Sequence, residues 1–340
     1  MRIEAIMRAL ADPTRRRAMR LLSSMELSVG ELAQVLAQSQ PRVSRHVGIL
    51  CEAGLAERHR EGSWVFLRTA TQPAGEGAGH IGTAIADLLA IAERDDPLFA
   101  ETCREDRRNL ATIRAAREAG AEAFFARHAE DWDELRRRHS PDGHVESRLL
   151  AALADAPLGT VLDVGTGTGR IAELLAEPAA HVVALDKSLD MLRVARAKLQ
   201  NLPAGQVELV QGDFTALPFA ANRFDTVVLH QVLHFAVDPA AALKEAARVT
   251  RPGGRIAVVD FASHGQEELR QRFAHARLGF SDRTMEMLMR EAGYRQHPPL
   301  TLDGGELVVK IWLAERIETT GDDNIRTDAD DRAGMRKTSP

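Results

Sequence analysis

The 340-residue sequence predicts a two-part chain, in which a small, mainly helical head precedes an α/β domain built on a doubly wound sheet. From residue 145 onward, apolar segments with strand character alternate with helical segments, which is typical of a parallel sheet with helices on both faces. Residues 1–69 contain short helices followed by a strand pair. A glycine-rich segment, GTGTG at 165–169, follows an apolar segment directly and indicates a strand-to-helix turn.

Composition places the chain among ordinary globular proteins. Hydrophobic residues make up 44% and charged residues 27%. The two cysteines exclude a disulfide framework and a cysteine-rich metal site, so we expect no metal. The first residues lack the apolar core of a signal peptide, and no apolar segment approaches membrane-spanning length. We therefore expect a cytoplasmic protein with no membrane contact.

Charge is unevenly distributed along the chain. Residues 1–70 hold 11 Arg and no Lys against 7 Asp and Glu, whereas the whole chain has a formal net charge of −5. A basic head on an acidic body suggests that the head meets an anionic partner.

Capping residues in the sequence predict where the helices of the head begin and end. Asp12 is a predicted N-cap for a helix that starts at Pro13, and Ser28 with Glu31 forms a predicted capping box. A third helix is expected over 41–53 and ends at Gly54. Two strand-like segments then flank the turn REGS. Helices followed by a β-hairpin in this order predict a winged helix-turn-helix over residues 1–70.

The third helix has the features of a DNA-reading helix. Val43 and Val47 have core spacing, while arginines on the other edge could read guanine and adenine in a major groove. Arginines of the hairpin, including Arg68, would meet phosphates. A plain surface role is the alternative for any single arginine. The predicted DNA-binding residues are Gln40, Arg42, Ser44, Arg45, His46, Arg58 and Arg60.

The head resembles the ArsR-type regulators in the segments ALADPTRRRAMRLL, LSVGELAQVL and SQPRVSRHVGILCEAGLAERHREGSWVFLR. The resemblance implies a transcriptional regulator that binds double-stranded DNA. Metal sensors of this family often carry paired cysteines before the recognition helix. The corresponding segment here, MELSVGEL, has none, so we expect no metal sensing at that place.

Residues 71–144 are predicted to form a linker at 70–80 and a helical connector. The charged residues of the connector indicate a solvated face with i,i+4 pairs, and its long Ala-rich helix could alternatively be a contact that makes a homodimer. Residues 316–340 are polar and without periodicity, and we expect them to be disordered.

The α/β domain is predicted over 145–315. Gly165, Gly167 and Gly169 would let the backbone approach a ligand at the start of a helix, where free N–H groups favour negative charge. Asp186 ends the next strand, where a carboxylate suits ribose hydroxyls. Asp213, beside Phe214, follows the third strand. A purely structural turn and a nicotinamide-type cofactor are alternatives. The predicted strands are 160–164, 181–185, 206–211, 224–229, 255–260 and 307–313.

This part resembles the class I S-adenosylmethionine-dependent methyltransferases, near the ubiquinone/menaquinone-type enzymes, through VLDVGTGTGR, ALDKS, QGDF, FDTVVLHQVLHF and VTRPGGRIAVVD. The resemblance implies a Rossmann-like sheet of seven strands whose last strand, in GELVVKIWL, is antiparallel. It also implies S-adenosyl-L-methionine as cofactor, with its methionine end at the glycine loop, its ribose at Asp186 and its adenine at Asp213. Asp163 would orient the loop; the alternative is a carboxylate satisfied by backbone N–H groups.

The sequence gives less information about the residues that would bind the methyl acceptor. His230 is the predicted catalytic residue, because a neutral histidine after the fourth strand could take a proton from the acceptor. Further candidates are His234, His264, His275 and Arg277, with a non-catalytic role as the alternative for each histidine. The fourth strand lacks the Asn/Asp-Pro-Pro-aromatic tetrad of DNA amino methylation, and residues 145–340 lack cysteine. The predicted substrate is therefore a small molecule.

Together these features predict a DNA-binding regulator that carries an S-adenosylmethionine-dependent methyltransferase domain. The alternative is a non-catalytic sensor of S-adenosylmethionine or S-adenosylhomocysteine that controls DNA binding.

Overall fold

The computed structural model describes residues 2–24, 27–61, 64–70, 81–132, 142–303 and 305–317. Within these ranges a three-stranded sheet lies in the head and an eight-stranded sheet in the α/β domain. Apart from residues 70, 316 and 317, the predicted linker and tail lie outside the described residues. None of the helices that the described residues form is both long and apolar enough to cross a membrane.

The head forms the predicted helices and hairpin. Its elements are α1 (Arg2–Leu10), α2 (Pro13–Leu22), β1 (Leu27–Ser28), α3 (Val29–Val35), α4 (Gln40–Glu52), β2 (Ala56–Glu61) and β3 (Trp64–Thr69). Strand β3 pairs antiparallel with both β1 and β2, so β2 and β3 form the wing.

Local capping explains where two head helices begin. The Asp12 side chain accepts from the backbone N–H of Arg15 at 3.2 Å, ahead of Pro13. Ser28 accepts from the Glu31 N–H at 3.1 Å, and Glu31 accepts from the Ser28 N–H at 2.8 Å. Such a capping box satisfies two of the backbone donors that a helix start leaves open.

The connector consists of α5 (Ile81–Asp95) and α6 (Pro97–His128). Its first half packs on the head: Arg17 on α2 makes a bidentate pair with the buried Asp106 of α6, at 2.8 and 2.5 Å. Leu89 and Leu110 join the apolar core of the head. Helix α6 has 32 residues and is therefore about 48 Å long. It extends well beyond the head.

The α/β domain follows with α7 (Asp142–Leu153), β4 (Thr160–Val164), α8 (Arg170–Ala176), β5 (His181–Asp186), α9 (Leu189–Leu199), β6 (Val207–Gln211), β7 (Phe224–His230), a 3₁₀ turn (Leu233–Phe235), α10 (Pro239–Val249), β8 (Thr250–Phe261), α11 (Glu267–Arg272), α12 (Asp282–Glu291), β9 (Tyr294–Gln296), β10 (Leu300–Leu302) and β11 (Val309–Arg316).

The strand order of the large sheet is β10-β11-β8-β7-β4-β5-β6, with β9 paired to β11. Strands β4 to β8 are parallel, and β11 runs antiparallel to β8. One core layer contains Leu243 of α10 and Met285 of α12; the other contains Leu149 of α7 and Ile171 of α8. Helices therefore cover both faces, which confirms the predicted fold class.

The six predicted strands match β4 to β8 and β11, whose ends differ by a few residues. Strand β8 begins at Thr250 and so includes RPGG, which the sequence analysis left outside the strand. Strands β9 and β10 have only three residues each and were not predicted. Segments this short carry too few residues for a periodic signal.

The wing packs against the α/β domain. The guanidinium carbon of Arg277 lies 4.2 Å from the ring centroid of Phe66 in β3, and both side chains are buried. Arg68, which was predicted to face phosphates, pairs with Glu57 and lies with Nη2 3.3 Å from the sulfur of Met287. The outer face of the wing at Phe66 and Arg68 is thus an interdomain contact.

Candidate functional site

A cavity of about 280 Å³ opens where β4, β5, β6 and β7 end. Parallel strands place their carboxyl ends at one edge of a sheet, and ligands of open α/β sheets bind there. Every predicted cofactor-binding residue except Gly169 lines this cavity: Asp163, Gly165, Gly167, Asp186, Asp213 and Phe214. The predicted catalytic residue His230 also lines it.

The glycine loop has the left-handed backbone that its sequence predicts. Gly165, Gly167 and Gly169 have φ values of 70°, 55° and 82°. A Cβ at Gly165 would lie 2.3 Å from Cγ2 of Val232, and a Cβ at Gly169 would lie 3.0 Å from Cβ of Ala195. Gly169 thus serves helix packing, while Gly165 lets the loop approach the end of β7. Both places require glycine.

The loop is tied to the neighbouring strand. The N–H groups of Gly165 and Thr166 donate to the Leu185 carbonyl at 2.8 and 2.9 Å. The Gly167 N–H donates to Oδ2 of Asp186 at 2.8 Å, and Ser188 N–H donates to Oδ1 at 2.8 Å. Burial raises the pKa of Asp186 above its usual value, although these backbone donors act in the opposite direction. Asp186 holds the loop and faces the cavity.

The second predicted carboxylate is strongly held. Oδ1 of Asp213 accepts from the Thr215 N–H at 2.8 Å and from its hydroxyl at 2.6 Å, and Oδ2 lies 3.2 Å from Nζ of Lys187. Burial raises the pKa of Asp213, but the Thr215 donors and the lysine outweigh it and hold that pKa below its usual value. Lys187, the residue directly after Asp186, helps to position the end of β6.

An aromatic wall lines part of the cavity. The ring centroids of Phe125 and Phe235 are 4.9 Å apart, and those of Phe125 and Trp132 are 5.3 Å apart, both in edge-to-face geometry. Phe125 belongs to α6 and Trp132 follows it, so the wall comes largely from the connector. Sequence reasoning missed these residues. The segment AFFARHAEDW, in a chain with 4% aromatic residues, was the available signal.

His230 ends β7 at the cavity and Gln231 follows it directly, and each is 6% exposed. Gln231 has a left-handed backbone with φ 51°, and its N–H donates to the Val259 carbonyl at 2.7 Å. Among the described residues, neither amide atom of the Gln231 side chain has a hydrogen-bond partner. The sequence analysis did not single out Gln231.

The other histidine candidates do not line the cavity, although the rings of His234 and His275 lie 4.0 and 5.2 Å from that of Phe235, which does. His234 is buried, its Nδ1 lies 2.7 Å from Oδ1 of Asp260, and its ring stacks 4.2 Å from that of His275. Asp260 also accepts from the His234 N–H at 3.0 Å. Arg277 packs on the wing, as described above. His234 and His275 thus contact each other and Asp260 holds His234, while Arg277 contacts the wing.

The head presents an exposed polar edge on α4. Gln40, Arg42, Ser44 and Arg45 are exposed there, and Arg58 of the wing is also exposed. Nη2 of Arg58 lies 3.4 Å from the Ser44 carbonyl. His46, by contrast, is 9% exposed and lies with Nδ1 3.8 Å from Asp12, so the structure turns it away from this edge. The side chain of Arg60 lies outside the described residues.

In the described part of the chain, no group of three or more His, Cys, Asp or Glu side chains is placed to hold a metal ion. Cys51 is half-buried and Cys103 is buried, and both are free thiols.

Two family models match the chain. The model described as "Bacterial regulatory protein, arsR family" matches residues 12–58, and the model described as "Methyltransferase domain" matches residues 162–258. The first lies within the head and the second covers β4 to β8. The two predicted resemblances are therefore confirmed.

Curated relatives match the α/β domain. A demethylmenaquinone methyltransferase of Renibacterium salmoninarum is 41% identical over 114 residues, which are 34% of this chain and 46% of the relative. A 2-phytyl-1,4-naphtoquinone methyltransferase of Thermosynechococcus vestitus is 36% identical over 157 residues, 45% of this chain and 68% of the relative. The chain spans about half the length of several curated relatives that it matches.

Solved structures include similar chains. A SAM-dependent methyltransferase from Aquifex aeolicus is 20% identical, with a TM-score of 0.44 over 54% of this chain and 98% of that chain.

Proposed function

Because this chain belongs to the methyltransferase family through its α/β domain and carries an ArsR-family domain ahead of it, we propose that it is a DNA-binding transcriptional regulator with S-adenosylmethionine-dependent methyltransferase activity on a small molecule. We take the domain limits at residues 70, 144 and 315. The observation that supports the enzymatic part is the cavity at the strand ends, where a left-handed glycine loop lies beside two carboxylates.

The lining residues fit the proposed cofactor. The glycine loop exposes backbone to the cavity, and the hydroxyl of Thr166, 7% exposed, has no hydrogen-bond partner among the described residues. A carboxylate group of the ligand would suit the loop, because the start of α8 favours negative charge. Asp186 would accept from ribose hydroxyls and Asp213 from an adenine amino group.

The chain's own residues would orient donor and acceptor. S-adenosylmethionine, when bound, supplies a methyl group activated by a positively charged sulfur. Holding two reactants in line accounts for much of the catalysis in such a displacement. His230, at the end of β7, would take the proton that the acceptor loses, since it is the histidine of the cavity lining.

The quinone methyltransferases among the relatives support an acceptor that contains a flat ring. Demethylmenaquinone and 2-phytyl-1,4-naphtoquinone, after which those proteins are named, contain a flat quinone ring. The aromatic wall of Phe125, Trp132 and Phe235 suits a ring of this kind, because aromatic rings stack on one another in edge-to-face or offset geometry.

The exposed edge of α4 supports DNA binding by the head. Arg42 and Arg45 would reach bases in the major groove, with Gln40 and Ser44 beside them. Arg58 would meet a phosphate. We do not include His46 in this surface, because it is buried against Asp12.

We also propose a homodimer. Several large apolar side chains of the head and connector are exposed, and exposed apolar patches often mark an interface. They are Ile3, Met7, Leu88, Ile91 and Leu98.

Helix α6 favours the second candidate function, a sensor that adjusts DNA binding to cofactor or product. Asp106 in its first half is bound by Arg17 of the head, and Ala121, Glu122 and Phe125 in its second half line the cavity. One continuous helix therefore packs on the head and also lines the cavity, with about 28 Å along the helix between Asp106 and Phe125. A ligand that shifts α6 would bias the head only if it binds the two states differently.

Calorimetry on the full chain tests the proposal. S-adenosylmethionine and S-adenosylhomocysteine are titrated separately, and gel shifts with the DNA preceding the coding sequence are run with and without each compound. We expect saturable binding of both compounds and of the DNA. Absence of heat with either compound would contradict the enzymatic proposal. A DNA affinity that neither compound changes would contradict the sensor and leave the enzyme.

A further inference from the structure

Gln231 is the feature of the cavity that the proposed function does not use. Its side chain is buried at 6% exposure, and both its amide nitrogen and its amide oxygen are without a partner among the described residues. Buried polar groups are nearly always hydrogen-bonded, and an exception calls for an explanation. Since Gln231 lines the cavity, a bound ligand would supply the missing hydrogen-bond partners.

The backbone conformation of Gln231 is also unusual. A φ of 51° is uncommon for a residue other than glycine, asparagine or aspartate. Its N–H is bonded to the Val259 carbonyl, and the next residue, Val232, packs against Gly165. The conformation is thus fixed from two sides. Backbone strain of this kind concentrates at ligand sites, where it aims a side chain.

The strand order indicates which ligand Gln231 faces. Along the sheet edge, β6 carries Asp213, β5 carries Asp186, β4 carries the glycine loop, and β7 carries Gln231. On the proposed function, adenine, ribose and methionine occupy the first three strand ends in this order. The fourth strand end lies next to the methionine end, roughly 14 Å from β6 at ordinary strand spacing. On the proposed function, the methyl acceptor would occupy this strand end.

The chemistry around Gln231 defines the acceptor's shape. Phe235, Phe125 and Trp132 form the wall described above, and the indole Nε1 of Trp132 lies 3.7 Å from where a Cβ of Gly167 would be. The wall therefore reaches the glycine loop. Flat apolar surfaces of the ligand would pack on these rings, while an amide offers one donor group and one acceptor.

We propose that Gln231 is the polar anchor of the acceptor subsite, where it hydrogen-bonds the hydroxyl of a flat aromatic ring that packs on Phe125, Trp132 and Phe235. This inference rests on the proposed function. It assigns acceptor specificity to two residues of the α/β domain, Gln231 and Phe235, and two residues of the connector, Phe125 and Trp132. The connector thus completes the subsite.

The test uses 1-naphthol and naphthalene, which differ only by the hydroxyl. Their binding to the full chain, saturated with S-adenosylhomocysteine, is measured by equilibrium dialysis. The unaltered chain should bind 1-naphthol at least about tenfold tighter than naphthalene, since a buried hydrogen-bonding site rejects a ligand that leaves it unpaired. Gln231→Leu should reduce that ratio to about threefold or less.

Two further variants distinguish the role of the Gln231 amide from that of the aromatic wall. Gln231→Asn tolerates the left-handed backbone and keeps an amide, but sets it back by one methylene, so it should lose the same discrimination and carries the test if Gln231→Leu does not fold. Trp132→Leu should weaken both probes alike, because the wall does not contact the hydroxyl. Calorimetry with S-adenosylhomocysteine should give affinities within about twofold for both Gln231 variants, as expected of a residue outside the cofactor's contacts.

Three outcomes would overturn the proposal. An unchanged 1-naphthol to naphthalene ratio in both Gln231 variants would show that the amide does not bind the hydroxyl. A large loss of S-adenosylhomocysteine affinity in both would move Gln231 to the cofactor. A saturated unaltered chain that binds neither probe would remove the subsite. Failure of the unaltered chain to bind S-adenosylhomocysteine would instead contradict the proposed function, and with it the basis of this inference.

Discussion

The guanidinium of Arg277 stacks on the ring of Phe66 at 4.2 Å, and through this contact the wing of the head is fixed to the segment between α11 and α12. Arg277 is 2% exposed and Phe66 is 4% exposed. The contact joins residues more than 200 positions apart in the sequence. Together with α6, it makes the head and the α/β domain neighbours in two separate places.

Arg277→Lys should destabilise the chain. Lysine keeps the charge but loses the planar group that stacks on Phe66, and a desolvated stack of this type contributes about 2 kcal/mol. We expect the free energy of unfolding in urea to fall by about 1–2 kcal/mol. Arg272→Lys, whose side chain is 71% exposed and pairs with Glu268, is the matched control and should stay within about 0.5 kcal/mol. Equal stability of the two variants would show that the stack contributes nothing.

Arg45→Ala should weaken binding to the DNA preceding the coding sequence. Losing a base contact of arginine costs about 1–3 kcal/mol, which is roughly 5-fold to 150-fold in affinity. S-adenosylhomocysteine affinity should not change, because α4 lies outside the cavity lining. Arg104→Ala, on the exposed surface of α6, is the control in the same gel shifts. If Arg45→Ala and Arg104→Ala bind DNA equally well, α4 is not the recognition helix.

Asp186→Asn should reduce S-adenosylhomocysteine affinity by tenfold or more. The amide removes the charge that would accept from ribose hydroxyls, and bonds to charged groups contribute about 1.5–3 kcal/mol. It also weakens the acceptor for the Gly167 N–H. Glu291→Gln, an exposed site on α12, should leave calorimetric affinity unchanged. An affinity retained by Asp186→Asn would refute the assigned contact.

The same residue predicts a pH dependence. Burial raises the pKa of Asp186 above its ordinary value of 3.8, so the carboxylate is protonated earlier than a free aspartate as pH falls. Affinity for S-adenosylhomocysteine should therefore decline with acidification at a pH above that ordinary value, while the chain is still folded. Calorimetry across acidic pH, with circular dichroism as the folding check, measures this. The decline should be absent in Asp186→Asn; if it persists there, another group titrates.

Ala115→Pro should uncouple the two proposed sites. Ala115 is an exposed residue of α6 between Asp106 and Phe125, and proline inside a helix costs about 3 kcal/mol and kinks it. If ligand binding alters DNA affinity, this variant should reduce the effect, whereas Ala115→Ser should keep it. The readout is the ratio of DNA affinities with and without S-adenosylhomocysteine. Unreduced coupling in Ala115→Pro would exclude α6 as the link.

The sequence by itself determined the local features. The caps at Asp12 and Ser28, the left-handed glycine loop and the strands β4 to β8 depend on residues within a few positions of one another, or on a periodic apolar pattern. The same patterns predicted that Asp186 and Asp213 lie at neighbouring strand ends, because parallel strands bring those ends together.

Only the tertiary structure decided the rest. That His46 turns inward, that Arg68 and Arg277 join the wing to the α/β domain, and that α6 delivers Phe125 to the cavity follow from packing between distant segments. Gln231 could not be predicted either, since a glutamine in the sequence indicates neither a buried side chain nor a left-handed backbone. Such contacts arise where whole faces of elements are buried together, and no short stretch of sequence contains both partners.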